Sequence, residues 1–288
     1  GPPVRLLSHL LGEFKEGIVV DTLPKTLREA VELSREVGFE YLWIDSLCII
    51  QDSEEDWSRE ASQMSDVYGN SYCNIAATHS QDCHDGLFFP DRNPGLLGPI
   101  FVQSSWDGLE PSRIGLWDPG IFVKAVEKAH LNKRGWVLQE RFLSPRTIHF
   151  AKDQLFWECY GGITCEVYPE GLMPGYNLMS LPKQRLRSRR QSITDSSGLG
   201  QLTSANILSY WSALLKMYSA TNLTKEEDTL PAISGIARRI ADSDDSQKYV
   251  VGLWTNHLPS QLLWALNVPG KRTASYLGPS WSWVSVSG

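Results

Sequence analysis

Residues 39–78 decide the fold: they open with Phe39-Glu-Tyr-Leu-Trp-Ile-Asp-Ser-Leu-Cys-Ile-Ile-Gln-Asp52 and end with Asn74-Ile-Ala-Ala-Thr78. The run from Tyr41 to Ile50 is apolar at odd and even positions alike, with two polar interruptions, which is typical of a strand covered on both faces. Residues 72–78 predict a second buried strand. Polar groups that follow such strands lie at the carboxyl edge of a parallel sheet, where α/β proteins usually bind ligands.

A capped helix is predicted between these two strands. Ser53, with Asp56 three residues later, resembles a capping box, and the neighbouring carboxylates favour the positive end of the helix dipole. An earlier helix, with Pro24 in its first turn, ends at Gly38. The order helix, strand, helix, strand implies right-handed crossovers and a parallel sheet. The apolar face of the second helix is formed by Trp57, Ala61, Met64 and Tyr68.

Beyond residue 80 the periodicity loosens, and frequent Gly, Pro and Asp indicate loops over 85–120. Two strand-like runs that turn at Lys152-Asp153 predict a hairpin. A flexible excursion is predicted over 183–203. The other predicted elements are helices over Lys124–His130, Arg134–Phe142, 206–220 and 229–241, strands over Arg146–Phe150 and Gln154–Cys159, and apolar segments over Tyr249–Trp254 and Leu262–Leu266.

The composition excludes several classes of function. The chain has 288 residues, of which 42% are hydrophobic, and can bury a large core. Its net charge of −6 gives no reason to expect a polyanion-binding face, so nucleic acid is not predicted as a partner. No apolar run approaches ~20 residues, so no membrane span is predicted. The basic run Lys183–Arg190 is interpreted as a solvated loop, with a docking patch as the alternative.

The cysteines favour a reducing environment. There are five, an odd number, in a long chain without a recognisable signal peptide, and this usage predicts free thiols and a cytoplasmic protein. His79, Cys83 and His84 lie close in sequence but lack a second ligand pair at zinc spacing. No metal site is therefore predicted.

Two multi-residue blocks carry a family resemblance. Around the opening stretch, Leu23-Pro-Lys-Thr-Leu-Arg-Glu-Ala30 precedes Tyr41-Leu-Trp-Ile-Asp-Ser-Leu-Cys-Ile-Ile-Gln-Asp52, and further on Arg134-Gly-Trp-Val-Leu-Gln-Glu-Arg141 precedes Ser144-Pro-Arg-Thr147. Both closely resemble the fungal heterokaryon incompatibility (HET) domain. We refer to residues 41–52 as the first HET block and to residues 134–147 as the second HET block.

The resemblance extends along nearly the whole chain, with one departure near its start. Downstream segments such as Leu230-Pro-Ala-Ile-Ser-Gly235 also look like these proteins. The family normally opens with a strand that ends in Leu-Ser-Tyr/His-Cys-Trp-Gly. Here Leu7-Ser-His9 is followed by Leu-Leu-Gly, without the Cys-Trp pair.

The resemblance implies a fold and a chemistry. HET domains are similar in element order to TIR domains, some of which cleave NAD between nicotinamide and ribose through a glutamate on the helix after an Ile/Leu-Asp strand. By position, Phe39–Asp45 is then the strand, Glu60 the glutamate, and Asp45 the second catalytic candidate. On a helical wheel Glu60 lies ~60° from Trp57 and ~40° from Met64, on the shoulder of the buried face. A carboxylate there could stabilise the oxocarbenium-like state formed when nicotinamide leaves.

Further residues are candidates for binding the nucleotide. Aromatic rings could stack on a ligand ring, and an arginine could hold a pyrophosphate bidentately. This binding set is Trp43, Ser46, Cys48, Trp57 and Arg141. Each candidate also has a structural interpretation: Glu60 as an exposed helix residue, Asp45 as a turn brace, and Cys48 and the tryptophans as core. Gln139, Glu140 and Arg141 could form a hydrogen-bonded brace or reach into the cleft.

Three functions follow from the resemblance, which places the protein in fungal non-self recognition and programmed cell death. The first is an NAD glycohydrolase, with NAD as substrate and no cofactor. The second is a non-catalytic death-signalling module that self-associates or binds other incompatibility proteins. The third is a repurposed enzyme for another small molecule. The enzyme hypothesis requires Glu60 to line a cleft, whereas the assembly hypothesis predicts a superficially paired Glu60 and an exposed apolar patch.

The predicted fold class is α/β: a TIR- or flavodoxin-like parallel sheet flanked by helices, elaborated by an additional α+β C-terminal part with a β-hairpin. We expect residues 3–166 to form the HET domain, with an altered or incomplete first-strand motif. We expect residues 167–288 to form a helical and mixed extension that packs on this core.

Overall fold

A computed structural model of the chain describes residues 4–104, 112–172, 183, 204–242 and 248–287. The α-helices are α1 (Leu11–Glu16), α2 (Lys25–Glu36), α3 (Asp45–Cys48), α4 (Glu54–Asn70), α5 (Gly135–Leu143), α6 (Ser204–Tyr218), α7 (Pro231–Ala241) and α8 (Leu258–Gln261). The strands are β1 (Asn74–Ala76), β2 (Ile100–Ser104), β3 (Ser112–Leu116), β4 (Arg146–Phe150), β5 (Leu155–Cys159), β6 (Gly162–Cys165), β7 (Tyr249–Val250), β8 (Leu253–Trp254), β9 (Lys271–Arg272) and β10 (Val286–Ser287). A π-helical turn spans Val123–Glu127.

The main sheet has four strands in the order β1-β4-β5-β6. β1 and β4 are parallel, with Asn74 opposite Thr147, and the other pairs are antiparallel. The predicted hairpin is therefore confirmed as β4 and β5. The sheet is mixed, so the prediction of a parallel sheet holds only for one pair of strands. The described residues thus form a mixed α/β fold with helices on both faces of this sheet.

The two faces of the sheet differ in polarity because side chains alternate along each strand. Ile148, Phe150 and Leu155 pack on one face with Ala30 and Leu33 of α2. The opposite face is covered by α5 and the π-helical turn. Its buried side chains are Thr147, His149, Phe156 and Glu158.

The first HET block does not form the strand that its apolar run predicts. Residues 39–44 have no regular secondary structure, and α3 begins directly after them. The backbone of Glu40–Trp43 makes no hydrogen bond to any other described residue. An extended segment becomes a strand only when a neighbour completes a ladder of hydrogen bonds. The predicted strand over Phe39–Asp45, or over Tyr41–Ile50, is therefore wrong.

The predicted helices flanking this segment are confirmed. α4 is capped as expected, because the Ser53 hydroxyl accepts a hydrogen bond from the Asp56 amide. The C-terminal region contributes α6, α7 and α8 with two short ladders, β7-β8 and β9-β10. The predicted apolar segment Leu262–Leu266 is not a strand and has several exposed leucines. None of the described helices combines the length and hydropathy needed to cross a membrane.

The largest apolar core joins the second HET block to the C-terminal helices. Phe142 of α5 is buried together with Trp211 of α6 and Trp254. α5 and α7 also approach very closely, since the Gly235 amide donates to Gln139 Oε1 at 2.8 Å. A Cβ at Gly235 would lie 2.6 Å from that oxygen, so only glycine fits this contact. The second HET block is therefore anchored on both sides.

Candidate functional site: a groove at the edge of the sheet

A groove of about 630 Å³ lies between residues 39–44 and β1. α2 forms one side of it, and the last turns of α4 together with α5 form the other. Among the described residues β1 is the edge strand of the sheet, and the segment beside it does not pair with it, which leaves the groove between them. The residues that follow this segment therefore lie at one end of an open cleft.

A carboxyl group with an unusual environment lines this groove. Glu140 of α5 lies beside the Tyr68 hydroxyl of α4. The charges of Asp45 and Arg134 act on Glu140, and all four residues line the groove. Burial raises the pKa of Glu140 to about 7, and the Asp45 charge adds to this effect. The group therefore exchanges a proton near neutral pH, as a general acid or base requires.

Three consecutive polar side chains of α5, those of residues 139–141, lie in three different environments. Successive residues of a helix point ~100° apart. Gln139 accepts a hydrogen bond from α7. Glu140 reaches the groove. Arg141 points beneath the sheet and binds Glu158 of β5. The brace that the sequence suggested is thus formed by Gln139 and Arg141, while Glu140 takes the other alternative.

A buried ionic network lies under the groove. Arg141 Nε and Nη2 donate to the two carboxylate oxygens of Glu158 at 2.8 and 2.9 Å. The same carboxylate lies 3.1 Å from His149 Nε2, while His149 Nδ1 lies 3.3 Å from the Thr78 hydroxyl. Arg141 and Glu158 are 3% and 2% exposed. Arg141, His149 and Thr147 also form part of the groove lining.

The protonation states of this network follow from burial and charge. Burial alone would raise the pKa of Glu158, but the Arg141 charge and the His149 hydrogen bond hold it well below its usual value. Burial lowers the pKa of His149, so its ring is neutral and Nε2–H donates to Glu158. Buried Lys183 donates to the Thr147 hydroxyl at 3.1 Å, and burial lowers its pKa to about 8. A solvated position for Lys183 is therefore wrong; the rest of the predicted basic loop lies outside the described residues.

The sequence-predicted site residues separate into two groups. Trp43, Asp45 and Arg141 line the groove. Glu60 does not line it, since it lies about 12 Å before Tyr68 along α4, at 1.5 Å per residue. Its carboxylate forms an ion pair with exposed Arg59 at 3.2 Å.

The other predicted binding residues also lie away from the groove. Trp57 packs edge-on against Trp136, with ring centroids 6.2 Å apart, and Lys225 lies over its ring. The Cys48 thiol is close to Glu60, and burial raises its pKa, which disfavours the nucleophilic thiolate. The Ser46 amide donates to the Asp45 side chain, in agreement with a turn-bracing role for that carboxylate.

Sequence reasoning gave too little weight to Glu140 and Tyr68 as a site. Tyr68 was assigned only to the apolar face of its helix. The available signal was the run of three polar residues, Gln139, Glu140 and Arg141, in an otherwise apolar helix. Among the described residues, no group of three or more His, Cys, Asp and Glu side chains is placed to hold a metal ion. All five cysteines are described, and all are free thiols.

Comparison with known proteins identifies the class and then the family. The fold is a mixed α/β domain with a cleft at an open sheet edge. Residues 7–140 match the family described as Heterokaryon incompatibility protein (HET), so this part of the chain is a HET domain. Neither the search of curated proteins nor the search of solved structures returned a match. The resemblance seen in the two HET blocks is thereby confirmed.

Proposed function

We propose that the protein acts in heterokaryon incompatibility and cell death by cleaving NAD, with Glu140 as the essential carboxyl group. The observation that carries this proposal is a partly enclosed Glu140 that lines an open cleft beside Asp45, Arg134 and the Tyr68 hydroxyl. Such a combination of perturbed acid, neighbouring charge and cleft is typical of catalytic sites. The position of Asp45 at the carboxyl end of residues 39–44 supports a ligand at this end of the groove.

The proposed reaction transfers the ribosyl group of NAD to water. The bond between ribose C1′ and the nicotinamide nitrogen breaks, and its electron pair leaves with nicotinamide. Water adds to C1′ and gives its proton to the Glu140 carboxylate, whose pKa near 7 suits this role at neutral pH. The Asp45 carboxylate stabilises the positive charge on the ribose, and the exposed Arg134 guanidinium binds the pyrophosphate.

Trp43 supplies the aromatic surface for this ligand. Its ring packs edge-on against Tyr68, with centroids 5.7 Å apart, and lines the same groove. A nicotinamide or adenine ring can stack on an indole held in this way. The site then combines a carboxyl group, a cation and a ring within one cleft.

The test follows nicotinamide release from NAD by the purified protein. Glu140→Gln keeps the size of the side chain and removes its proton exchange, and we expect a loss of at least ~100-fold in kcat. Glu60→Gln makes the same chemical change outside the groove and serves as the matched control. We expect the control variant to retain activity.

Two results would contradict this proposal in different ways. Absence of turnover at high protein concentration, with and without an oligomerising tag, would refute NAD cleavage. Turnover that survives Glu140→Gln but is lost with Glu60→Gln would return the catalytic role to Glu60.

A non-catalytic assembly function is a second candidate, and two observations favour it. Glu60 is paired with a surface arginine, as that hypothesis requires. Tyr41 and Tyr72 are 90% and 64% exposed, and they lie at the rim of the groove. Light scattering that detects a defined oligomer of a protein without NAD turnover would support this candidate over the first.

A further inference from the structure

The two long walls of the groove have backbone edges without hydrogen-bond partners among the described residues. On one side, β1 is the edge strand of the four-stranded sheet and, within the described ranges, pairs only with β4. On the other side, the backbone groups of Glu40–Trp43 make no hydrogen bond to any residue in the described ranges. Unpaired edges of this kind are templates for the addition of another strand.

Side chains of the two walls meet in the same order along the chain. The rings of Phe39 and Tyr72 meet at 5.0 Å, and three residues later in each wall Leu42 and Ile75 pack against the same apolar cluster. This order of contacts is that of two segments running in the same direction. No backbone hydrogen bond joins the two walls.

The size of the groove corresponds to a short strand. A residue in a packed sheet occupies ~160 Å³, given a rise of ~3.3 Å, a strand spacing of ~4.8 Å and ~10 Å between layers. The groove volume of about 630 Å³ is several times the volume of one such residue, so a short strand can enter it. The two walls, Glu40–Trp43 and β1, are four and three residues long.

The layers above and below the groove define the chemistry of an inserted strand. The α2 side presents apolar and small groups, including Leu27 and Ala30. The α5 side presents the polar groups Thr147 and His149. Side chains of a strand alternate between two faces. A matching segment therefore alternates aliphatic residues with small or hydroxyl-bearing residues.

We propose that this groove is the acceptor site for one extended segment of a partner polypeptide, which adds as a strand parallel to β1 and to residues 40–43. A small molecule offers no ladder of backbone groups to satisfy both walls, whereas a peptide strand satisfies both at once. The inference is independent of the proposed NAD cleavage.

The inserted strand and a nucleotide occupy different positions. The strand lies beside Glu40–Trp43, whereas Asp45 and the adjacent Glu140 and Arg134 lie beyond the carboxyl end of that segment. Ligands of α/β sheets bind at such carboxyl ends. An added strand therefore lies beside Glu40–Trp43 and leaves the end of the cleft at Asp45 open.

Calorimetric titration with defined peptides tests the proposal. The probe is a pool of capped heptapeptides in which Val, Ile or Leu alternates with Ser, Ala or Thr. The control is the same pool with alternate backbone nitrogens methylated, which removes the ladder donors and keeps the side chains. We expect saturable binding of the probe alone, with slowed hydrogen exchange at β1 and at the amides of Glu40–Trp43.

A pair of neighbouring proline variants sharpens the test. Backbone N–H groups of adjacent residues in an extended segment point to opposite edges, and proline removes one of them. Tyr41→Pro and Leu42→Pro therefore differ in which edge they block. Neither amide bonds to another described residue, so both variants should fold. We expect one variant to lose at least about tenfold in affinity and the other to keep it.

Three results would overturn the proposal. One is no saturable binding up to about 1 mM peptide. Another is equal binding by the two proline variants, since strand addition requires them to differ. The third is a dimer of the free protein, detected by light scattering, whose residues 40–43 are already protected from exchange, which would assign the groove to self-association.

Discussion

In the second HET block, nearly every polar group has a partner, whereas in the first HET block the backbone beside the groove has none within the described chain. Arg141 is held by Glu158 at 2.8 and 2.9 Å, and Gln139 accepts a bond from Gly235. Residues 40–43, by contrast, have no regular secondary structure, are partly exposed and make no backbone hydrogen bonds to described residues. Both blocks are apolar runs with a few charged positions, so composition does not explain the difference.

The difference shows that an apolar run specifies burial more directly than it specifies secondary structure. α5 satisfies its own backbone, so it forms wherever its faces can be covered. A strand depends on a neighbour that lies elsewhere in sequence or in another chain. The first HET block carries side chains suited to the middle of a sheet, and its open edge is the basis of the acceptor site proposed above.

The largest effect on stability is expected when Arg141, the residue that pairs with Glu158, is removed from the second HET block. Arg141→Met leaves the Glu158 carboxylate buried without its cation. We expect the free energy of unfolding to fall by about 3–5 kcal/mol, because a buried charge that loses its partner is not resolvated. Urea denaturation followed by circular dichroism measures this loss.

The matched control is the surface pair of Arg92 and Glu166. It has the same bidentate geometry, with both contacts at 3.0 Å, but its side chains are each 32% exposed. Arg92→Met should therefore cost less than about 1 kcal/mol. Equal losses in the two variants would show that burial does not distinguish these pairs.

A smaller effect is expected at the point where the second HET block meets the groove. The pKa of Glu140 is about 7 in the folded protein and near 4.5 when unfolded. The folded state therefore binds the proton more tightly, and the stability from protonated Glu140 is present below pH 4.5 and lost as pH rises through 7. Glu140→Gln removes this loss, so the variant should be more stable than the parent above pH 7 by at most about 3 kcal/mol.

Parallel denaturation curves at pH 4 and pH 8 check the sign of this effect. The difference between variant and parent should be near zero at the lower pH and favour the variant at the higher pH. A variant that is less stable at pH 8 would mean that the Glu140 carboxylate is held by charges that outweigh its burial.

The smallest effect is expected in the first HET block. Tyr41 is 90% exposed at the rim of the groove. Tyr41→Ser should change the free energy of unfolding by less than about 0.5 kcal/mol, as is usual for surface positions. A loss above 1 kcal/mol in urea denaturation would show that this segment is already paired and that the two blocks are alike.

Local sequence patterns predicted the elements that stabilise themselves. The cap of α4, the helices α2 and α5 and the hairpin of β4 and β5 all follow from spacing and turn residues close in sequence. The absence of a hydrogen-bond ladder at residues 40–43 could not be predicted in the same way. An apolar run does not show whether a neighbouring strand is present to pair with it.

The candidate site was predicted in part for a related reason. Asp45 is predicted from the Ile-Asp pair that the family resemblance highlights and Trp43 from its aromatic ring in the same segment, and both line the groove. Glu60 is predicted only from its place in the helix that follows this segment. That place does not determine which turn of α4 faces the cleft. Glu140 comes from a distant helix, so only the packing of α5 beside α4 reveals that it meets Asp45 and Tyr68.

The close contact of Gly235 with Gln139 has a consequence for where the chain can be shortened. The HET match ends at residue 140, inside α5, whereas Phe142 and the residues around it are buried against α6 and α7. The packed unit therefore extends beyond the matched residues. A fragment ending at residue 140 would lack the last turn of α5 and the helices that cover it, so we expect the smallest fragment that folds to extend through α7.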